Sequence, residues 1–411
     1  MKIWILEIGE PLPLEQNVRL HRYGQFSKAL AEAGHDVTWW ASSFSHAPKL
    51  NLTDRDMDYP HGKATLRLLY GPGYPRNISF ARIRHTKLFA KKFLEQASKY
   101  DEPDLIIAPI PTIDTAAAAV KFAKPRKIPV ITDIRDLWPD EIADLAPRPF
   151  RGIARLLLYR AYQKLRYVCE NAAGIMGVSQ SYLDYGLNAA GRQQTSKDCV
   201  FPLGYSASTP SADDIAIGQE WLENNSIKSN IFTICFFGTI GKFFALETVI
   251  EAARQLEKEF PLQVIIGGTG SSFDKYQSLA KSVPSVRFMG WLKAPQIHAV
   301  MSISSAGLAP YKSDAKMSLP NKPFEYMAGG LPVISSIQGE LKEILGINHC
   351  GMTYNADSIE ELCATIRKLK EDGKTQIEMG RNGRALLEKE FATEKVFEKI
   401  EKHLVTFQKS Q

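Results

Sequence analysis

An α/β architecture of two Rossmann-like, doubly wound domains is what this sequence predicts, on three observations. The chain has 411 residues, too many for one ordinary core and enough for two domains of about 200 residues each. Short apolar runs alternate with helical patterns along most of its length, the order that builds a parallel sheet covered on both faces. That alternation occurs twice without any repeat of sequence, which gives two similar domains and not a solenoid.

The first series opens with KIWILEIG, a strand ending at Gly9, followed by a polar loop. A helix runs from near Gln16 to Ala33 with Gly34 in the C-cap position, and HDVTWWAS is the next strand. Then come PDLIIAPIP (strand), DTAAAAVKFAKP (helix), KIPVITDIRD (strand), one long basic helix and AGIMGVSQ (strand). Around residues 205–228 the polar run SASTPSADDIAIGQE reads as the inter-domain connection. The second series comprises IFTICFFG, LQVIIGG, VRFMG, AGLAPY and PVISS as strands. Between them lie ALETVIEAARQLEKE, SSFDKYQSLAKS, QIHAVMSIS and KPFEYMAGG as helices, and a helical C-terminus follows. Residues 1–205 are therefore expected to form the first domain and 206–385 the second. Residues 386–411 are expected to be a C-terminal helix with Val396, Phe397, Ile400, Leu404 and Phe407 on its apolar side, and spacing alone leaves open whether it crosses back to the first domain.

Composition narrows the class. With 44% hydrophobic and 23% charged residues, this is a globular chain. The N-terminal apolar run is too short for a signal peptide and is followed by Glu7 and Glu10. No window is long and apolar enough for a membrane span. The five cysteines lack metal-ligand spacing and read as reduced thiols of a cytoplasmic protein. Net charge is +6, and residues 1–205 hold 28 Lys and Arg against 21 Asp and Glu, so the remainder is about −1. The basic half suits an anionic partner, a membrane surface or a lipid diphosphate. No RNP, helix-turn-helix or finger pattern accompanies the charge, so no nucleic acid is expected. Asp54-Arg55-Asp56 and Asp56-Met57-Asp58 imitate a DxD metal motif, but in a polar loop with no strand before them. No metal and no cofactor is assigned.

Ligands of open α/β sheets bind outside the carboxyl ends of the strands. The first such loop, Gly9-Glu10-Pro11-Leu12-Pro13, lacks the G-x-G-x-x-G fingerprint of a dinucleotide site. In Gly238-Thr239-Ile240-Gly241-Lys242 two glycines let the backbone approach a ligand, and Lys242 supplies a cation for a phosphate; an ordinary surface turn carries the same pattern. Gly267-Gly268-Thr269-Gly270-Ser271 precedes a helix and suits an anion or a tight turn. The most informative segment is Leu319-Pro320-Asn321-Lys322-Pro323-Phe324-Glu325. Its two prolines place a helix N-terminus at about residue 320. Free N–H groups, the helix dipole and Lys322 attract an anion there. Glu325, one turn in, suits the vicinal hydroxyls of a ribose, or is a solvated first-turn acid. Phosphate beside ribose describes a nucleoside diphosphate.

The stretch NKPFEYMAGGLPVISS, with Gly339-Glu340-Leu341 after it, resembles the donor-site signature of the retaining glycosyltransferases of family 4, which have the GT-B fold: two Rossmann-like doubly wound domains facing across a cleft. Ala33-Gly34-His35-Asp36-Val37, Asp133-Ile134-Arg135-Asp136-Leu137-Trp138-Pro139, Val178-Ser179, Pro202-Leu203-Gly204, FFGTIG and FMGWL are similar to further family motifs in the same order. RDLWP resembles the subgroup that makes bacterial O-antigens and capsules, including transferases of N-acetylated amino sugars such as N-acetyl-fucosamine. The resemblance implies a retaining, metal-independent hexosyltransferase that moves a sugar from a UDP-sugar to a glycan or lipid-linked acceptor. It implies that Gly238, Thr239, Gly241, Gly268, Trp291, Leu292, Ser318, Leu319, Asn321 and Glu325 bind the donor. Lys242 and Lys322 would offset the charge of the leaving diphosphate, and Arg135 and Asp136 would face the transferred sugar. Three positions depart from the family. Met317 stands where many members have a first glutamate. Thr239 replaces an arginine, and Phe244 and Ala245 stand where a lysine is common.

The acceptor is expected in the basic first domain, at Gly9, Glu10, Arg19 and Arg22; Arg19, His21 and Arg22 alternatively form the exposed face of the first helix. Phe80 to Phe93 and Arg148 to Tyr167 mix cations with aromatic and aliphatic anchors. Such stretches dock on anionic lipid at the inner face of the cytoplasmic membrane, or are ordinary helices whose apolar side is buried on the sheet. Two other functional classes stay open. One is a UDP-sugar 2-epimerase-like isomerase; the other is a non-catalytic nucleotide-sugar binder, which the missing glutamate at Met317 would suit.

Overall fold

The computed structural model describes every residue except 15–17, 19, 207–208 and 409–411. It divides into two units, Met1–Leu203 with Val396–Gln411, and Gly204–Lys395.

In the first unit the chain forms β1 (Lys2–Leu6), α1 (Arg22–Glu32), β2 (Asp36–Ser42), a short antiparallel pair β3 (Phe44–Ser45) and β4 (Leu50–Asn51), β5 (Met57–His61), β6 (Ala64–Leu69) and α2 (Phe80–Ala97). It continues through β7 (Leu105–Ile110), α3 (Ile113–Ala123), β8 (Val130–Ile134), α4 (Asp140–Ala143), α5 (Arg151–Leu157), α6 (Tyr159–Asn171), β9 (Gly174–Gly177), α7 (Gln180–Ala190) and β10 (Cys199–Val200). The sheet runs β10-β9-β8-β7-β1-β2-β6-β5. All its pairs are parallel except β5 with β6.

The second unit contains α8 (Ala212–Asn224), β11 (Phe232–Phe237), α9 (Leu246–Leu256), β12 (Leu262–Gly267), α10 (Phe273–Ala280), β13 (Val286–Gly290), α11 (Ala294–Ile303) and β14 (Ala306–Ala309). After these come α12 (Asn321–Ala328), β15 (Val333–Ser335), α13 (Glu340–Ile347), β16 (Gly351–Thr353), α14 (Ile359–Glu371) and α15 (Gly373–Leu386). A π-helical turn, Leu387–Phe391, leads into α16 (Thr393–Val405). Its sheet runs β13-β12-β11-β14-β15-β16 and is parallel throughout. Both units are Rossmann-like.

Alternation along the strands builds the two faces of the first sheet. Ile3 and Ile5 of β1 join one cluster with Tyr23, Phe26 and Leu30 of α1, while Trp4 and Leu6 join another with Phe89 and Phe93 of α2. Trp4 packs edge-on to Trp40 at 5.1 Å and stacks on Phe122 at 5.4 Å, so the second face is an aromatic core. Val396, Phe397, Ile400, Leu404 and Phe407 of the C-terminal segment complete the first face, each no more than 9% exposed. At about 1.5–3 kcal/mol for each large side chain buried, these contacts hold α16 on the first unit. His35 Nε2 lies 3.2 Å from Glu401 and adds a polar tie.

Several expected elements differ. The first helix spans Arg22–Glu32, and the expected start near Gln16 lies outside the described residues. The long basic helix is three pieces: Pro147 and Pro149 cannot donate to an α-helical ladder and interrupt it before α5, and a second break at Leu158 separates α5 from α6. The polar connection contains α8, nucleated by a capping box in which Ser211 Oγ accepts from Asp214 N and Asp214 accepts from Ser211 N. The acidic loop holds a strand after all: Met57–His61 pairs antiparallel with β6. Asp58 there receives two hydrogen bonds from Arg67, and Asp56 accepts from Tyr70 N, Lys92 and Gln96. Both carboxylates are structural.

Candidate active site

In the second unit the site grows from two glycine turns at the carboxyl ends of β11 and β12. Gly238 has φ +142° and Gly268 φ +138°, conformations that L side chains rarely adopt. A β-carbon on Gly268 would collide with the Gly238 carbonyl, so the two backbones touch. Gly238 N donates to Gly267 O at 2.9 Å and Ile240 N to Thr269 O at 2.8 Å. The rest of the first turn is pinned to the end of β14 through Ala245 N to Pro310 O at 2.7 Å and Lys312 N to Phe243 O at 2.9 Å.

Lys322, second residue of α12, completes this floor. Its ammonium fills the space beside Gly238 that a side chain would take, and lies 5.2 Å from the ring centres of both Phe236 and Phe244. Burial pulls its pKa below the ordinary lysine value, and Glu325, one turn on, works the other way. The helix starts at Asn321 behind Pro320, whose side chain makes no capping hydrogen bond. A helix N-terminus with no cap from its N-cap side chain suits an anion.

The other expected donor residues divide. Ser318 Oγ donates to Glu340 Oε2 at 2.9 Å, tying the segment before α12 to the start of α13. Leu319 is half-buried, and Thr239 is exposed beside the glycine turn. Lys242 is also exposed, its ammonium 5.2 Å from the Phe243 ring; it is Lys322 that meets the glycine turn. Trp291 is 69% exposed at the end of β13, whereas Leu292 is 6% exposed and packs beside Gly267.

In the first unit Gly9, Glu10, Arg135 and Asp136 do come together, at the carboxyl ends of β1 and β8. Arg135 donates to Glu10 Oε1 at 2.6 Å and lies 3.9 Å from Glu7 Oε2. Glu10 Oε2 accepts from Tyr23 N at 2.7 Å and Gly24 N at 3.2 Å. Gly9 N donates to Glu7 Oε1 at 2.5 Å. Burial pushes the Glu7 carboxyl up to about 7, with Glu10 and Asp136 adding and Arg135 opposing. Burial also raises Asp136, against the pull of Arg135 and Arg82. For Arg135 burial opposes the charge, but Glu10 and Glu7 outweigh it and hold the guanidinium charged. Glu7 Oε2, Asp133 Oδ1 and Arg135 Nε are buried without a hydrogen-bond partner among the described residues. Such capacity is uncommon in a finished core and suits a ligand site.

Arg22 takes a different place from the expected one. It is 5% exposed, its Nε lies 3.2 Å from Asp133 Oδ2, and it donates to Pro202 O at 2.6 Å and Phe201 O at 3.2 Å. Tyr23 Oη donates to the same Asp133 oxygen at 2.6 Å. Arg22 therefore braces the strand ends from inside. Arg19 lies outside the described residues. Sequence reasoning missed Glu7, Tyr23 and Asp133 as members of this network; an aspartate inside the apolar run VITDI was the available signal.

Comparison with known proteins identifies the class. Residues 23–194 match the family described as Glycosyltransferase Family 4, and residues 231–372 match Glycosyl transferases group 1. The chain thus carries glycosyltransferase domains, one in each unit. Its architecture is GT-B, as three solved structures show. Anabaena Alr3699/HepE, in complex with UDP, is 17% identical over 99% of this chain and 100% of its own, with a TM-score of 0.69. Sucrose-phosphate synthase from Thermosynechococcus elongatus is 16% identical over 98% of each chain, with a TM-score of 0.70. WaaG, a glycosyltransferase involved in lipopolysaccharide biosynthesis, is 14% identical over 97% of this chain and 98% of its own, with a TM-score of 0.64. No curated protein matches the chain in sequence.

Proposed function

We propose that this glycosyltransferase moves a sugar from a UDP-linked donor, with retention of configuration, to a glycan or lipid-linked acceptor in bacterial surface-polysaccharide assembly. The observation that carries the reading is the Lys322–Gly238 floor at the start of α12. A half-buried cation, a helix N-terminus and two touching glycine turns meet where a diphosphate needs positive charge and close backbone. HepE, with the same fold, binds UDP. In this reading Lys322 and the α12 N-terminus offset the charge on the departing UDP, and Glu325 holds the ribose. Arg135 and Asp136 face the transferred sugar. The leaving diphosphate takes the acceptor's proton, so no strong protein base and no metal is required.

The second half of the proposal is the acceptor's location. No residue of α5 is buried, and Phe150, Ile153, Leu156, Leu157 and Tyr159 are 56%, 57%, 73%, 81% and 58% exposed. The alternative of an apolar side packed on the sheet therefore does not describe α5. Arg148 and Arg160 are exposed beside these side chains. Apolar anchors ringed by arginines suit an anionic membrane surface, and no helix among the described residues is long and apolar enough to cross a membrane. Docking there would give a peripheral enzyme on the cytoplasmic leaflet access to a lipid-linked acceptor. The test is UDP release from a UDP-sugar: acceptor-dependent release supports transfer, and equal release with and without acceptor contradicts it.

A further inference from the structure

Two half-buried cations of the first unit differ from Arg22 and Arg135. Arg22 and Arg135 each have a carboxylate partner within 3.2 Å. Lys49 and Arg82 have none within ion-pair distance among the described residues. Lys49 Nζ donates to Asn77 Oδ1, and Arg82 donates to the Asn77 carbonyl at 2.9 Å, both neutral acceptors. Each lies near the ring of buried Tyr74, Lys49 Nζ at 4.9 Å and Arg82 Cζ at 5.9 Å from its centre. They are close enough to repel: burial, then Arg82, pulls Lys49 below its ordinary pKa.

The groups packed around them offer no negative charge in contact. Tyr74 sits among Phe44 (4.7 Å), His85 (5.3 Å) and His46 (5.7 Å). His46 Nδ1 lies 2.5 Å from Tyr74 Oη and 3.5 Å from Lys49 Nζ. A nitrogen facing an ammonium accepts, so the imidazole is neutral. Burial, with Lys49 and Arg82 assisting, lowers His46 to about 4, and burial with Arg82 does the same to His85. The acids that feel this cluster are Asp136, through Arg82, and Glu7, through Tyr74; neither forms an ion pair with it. One further feature adds to the positive field, and a second concerns the backbone of Lys49. Arg82 stands in the first turn of α2, behind the Ser79 cap. Lys49 is held at φ +59°, a left-handed conformation that a lysine adopts at some cost.

Two adjacent uncompensated cations at the carboxyl edge of a parallel sheet are stabilised by a bound anion. Arg82 Cζ also lies 5.8 Å from the Trp138 ring, and Trp138 follows Asp136 by two residues, so the cluster adjoins the Arg135–Asp136 site. We propose that Lys49 and Arg82, backed by Tyr74, bind a phosphate or diphosphate group of the acceptor, with Trp138 beside the adjoining sugar. This rests on the glycosyltransferase reading and gives its acceptor a chemical class. It also separates Arg82 from Arg84 and Lys87 of the same helix, which are exposed.

The test measures binding of inorganic diphosphate by calorimetry with UDP present in excess, so that any donor site is filled. A second arm measures flotation with phosphatidylcholine vesicles carrying a polyprenyl diphosphate. K49Q/R82Q is compared with R84Q/K87Q and with the unaltered chain. The expected result is a loss of affinity of about tenfold or more for K49Q/R82Q, with R84Q/K87Q and the melting temperature unchanged. Flotation above that on plain phosphatidylcholine vesicles, competed by free diphosphate and lost in K49Q/R82Q, assigns the group to a lipid; diphosphate binding without such flotation assigns it to a soluble phosphate ester. Undiminished binding by K49Q/R82Q, equal losses in both variants, or no binding by the unaltered chain in either arm overturns the proposal. Absence of UDP binding by the unaltered chain would instead strike the donor reading and leave the comparison of variants intact.

Discussion

Lys322 and Gly238 share one space: the ammonium of the first lies where the second would carry a side chain. The glycine is required twice over, by its φ of +142° and by the cation beside it. Replacing it, as in G238A, strains the turn and displaces Lys322 together. UDP affinity should fall about tenfold or more, since one charge-assisted contact to phosphate is lost and the backbone is pushed back. K322Q should lower affinity while leaving the turn intact. Calorimetric titration with UDP checks both; affinity unchanged in G238A would show that the floor is not the diphosphate site.

Glu325 is tested through the ribose itself. In E325A the affinity for UDP should drop about tenfold, as for a lost hydrogen bond to a charged group. An analogue lacking both ribose hydroxyls should bind E325A and the unaltered chain equally, because the interaction is already absent. If E325A weakens both nucleotides alike, Glu325 shapes the helix and does not read the ribose.

Glu7 predicts a pH dependence of stability. Its carboxyl is raised from an ordinary 4.5 to about 7 in the folded chain, so between these values the folded state binds more protons than the unfolded one. By linkage, the Glu7 contribution to stability is fully present below pH 4.5, falls as pH rises and is lost through about 7. E7Q cannot ionise. Its melting temperature relative to the unaltered chain should rise steadily from pH 4.5 to 7 and then level off. A flat difference across that window would remove the assignment.

The α5 surface should bind anionic lipid. Replacing Leu156 and Leu157 with serine removes anchors that would each contribute about 1.5–3 kcal/mol on burial. Sedimentation with phosphatidylglycerol vesicles should then fall severalfold, with no change in melting temperature because neither side chain is buried in the fold. Equal sedimentation of the variant would leave α5 without a membrane role.

Much of this was legible in the sequence, and the failures have physical reasons. Strands such as IFTICFFG and LQVIIGG are predominantly apolar because both faces of a parallel sheet are covered, and their pattern predicts them directly. The start of α12 was placed by Pro320 and Pro323, whose chemistry is local. Edge strand β5 escaped because it carries Pro60 and the charged Asp58, which suit an unpaired edge. The partition of cations was not legible at all. Arg22, Arg82 and Arg135 are alike in sequence, and only the fold shows that Asp133 and Glu10 neutralise two of them. Likewise Lys242 and Lys322 both stand near glycines or prolines, but only Lys322 is brought over Gly238, by a helix that begins 83 positions further along the chain than that glycine.

The most direct test of the central claim is a thermal-shift comparison of UDP with GDP, ADP and CMP on the full chain, since a ligand that binds only the folded state raises its melting temperature. The expected result is a selective, concentration-dependent rise with UDP that K322Q diminishes. No shift with UDP, or the same shift with every nucleotide, would contradict the assignment of a UDP-sugar site to α12 and the glycine turns beside it.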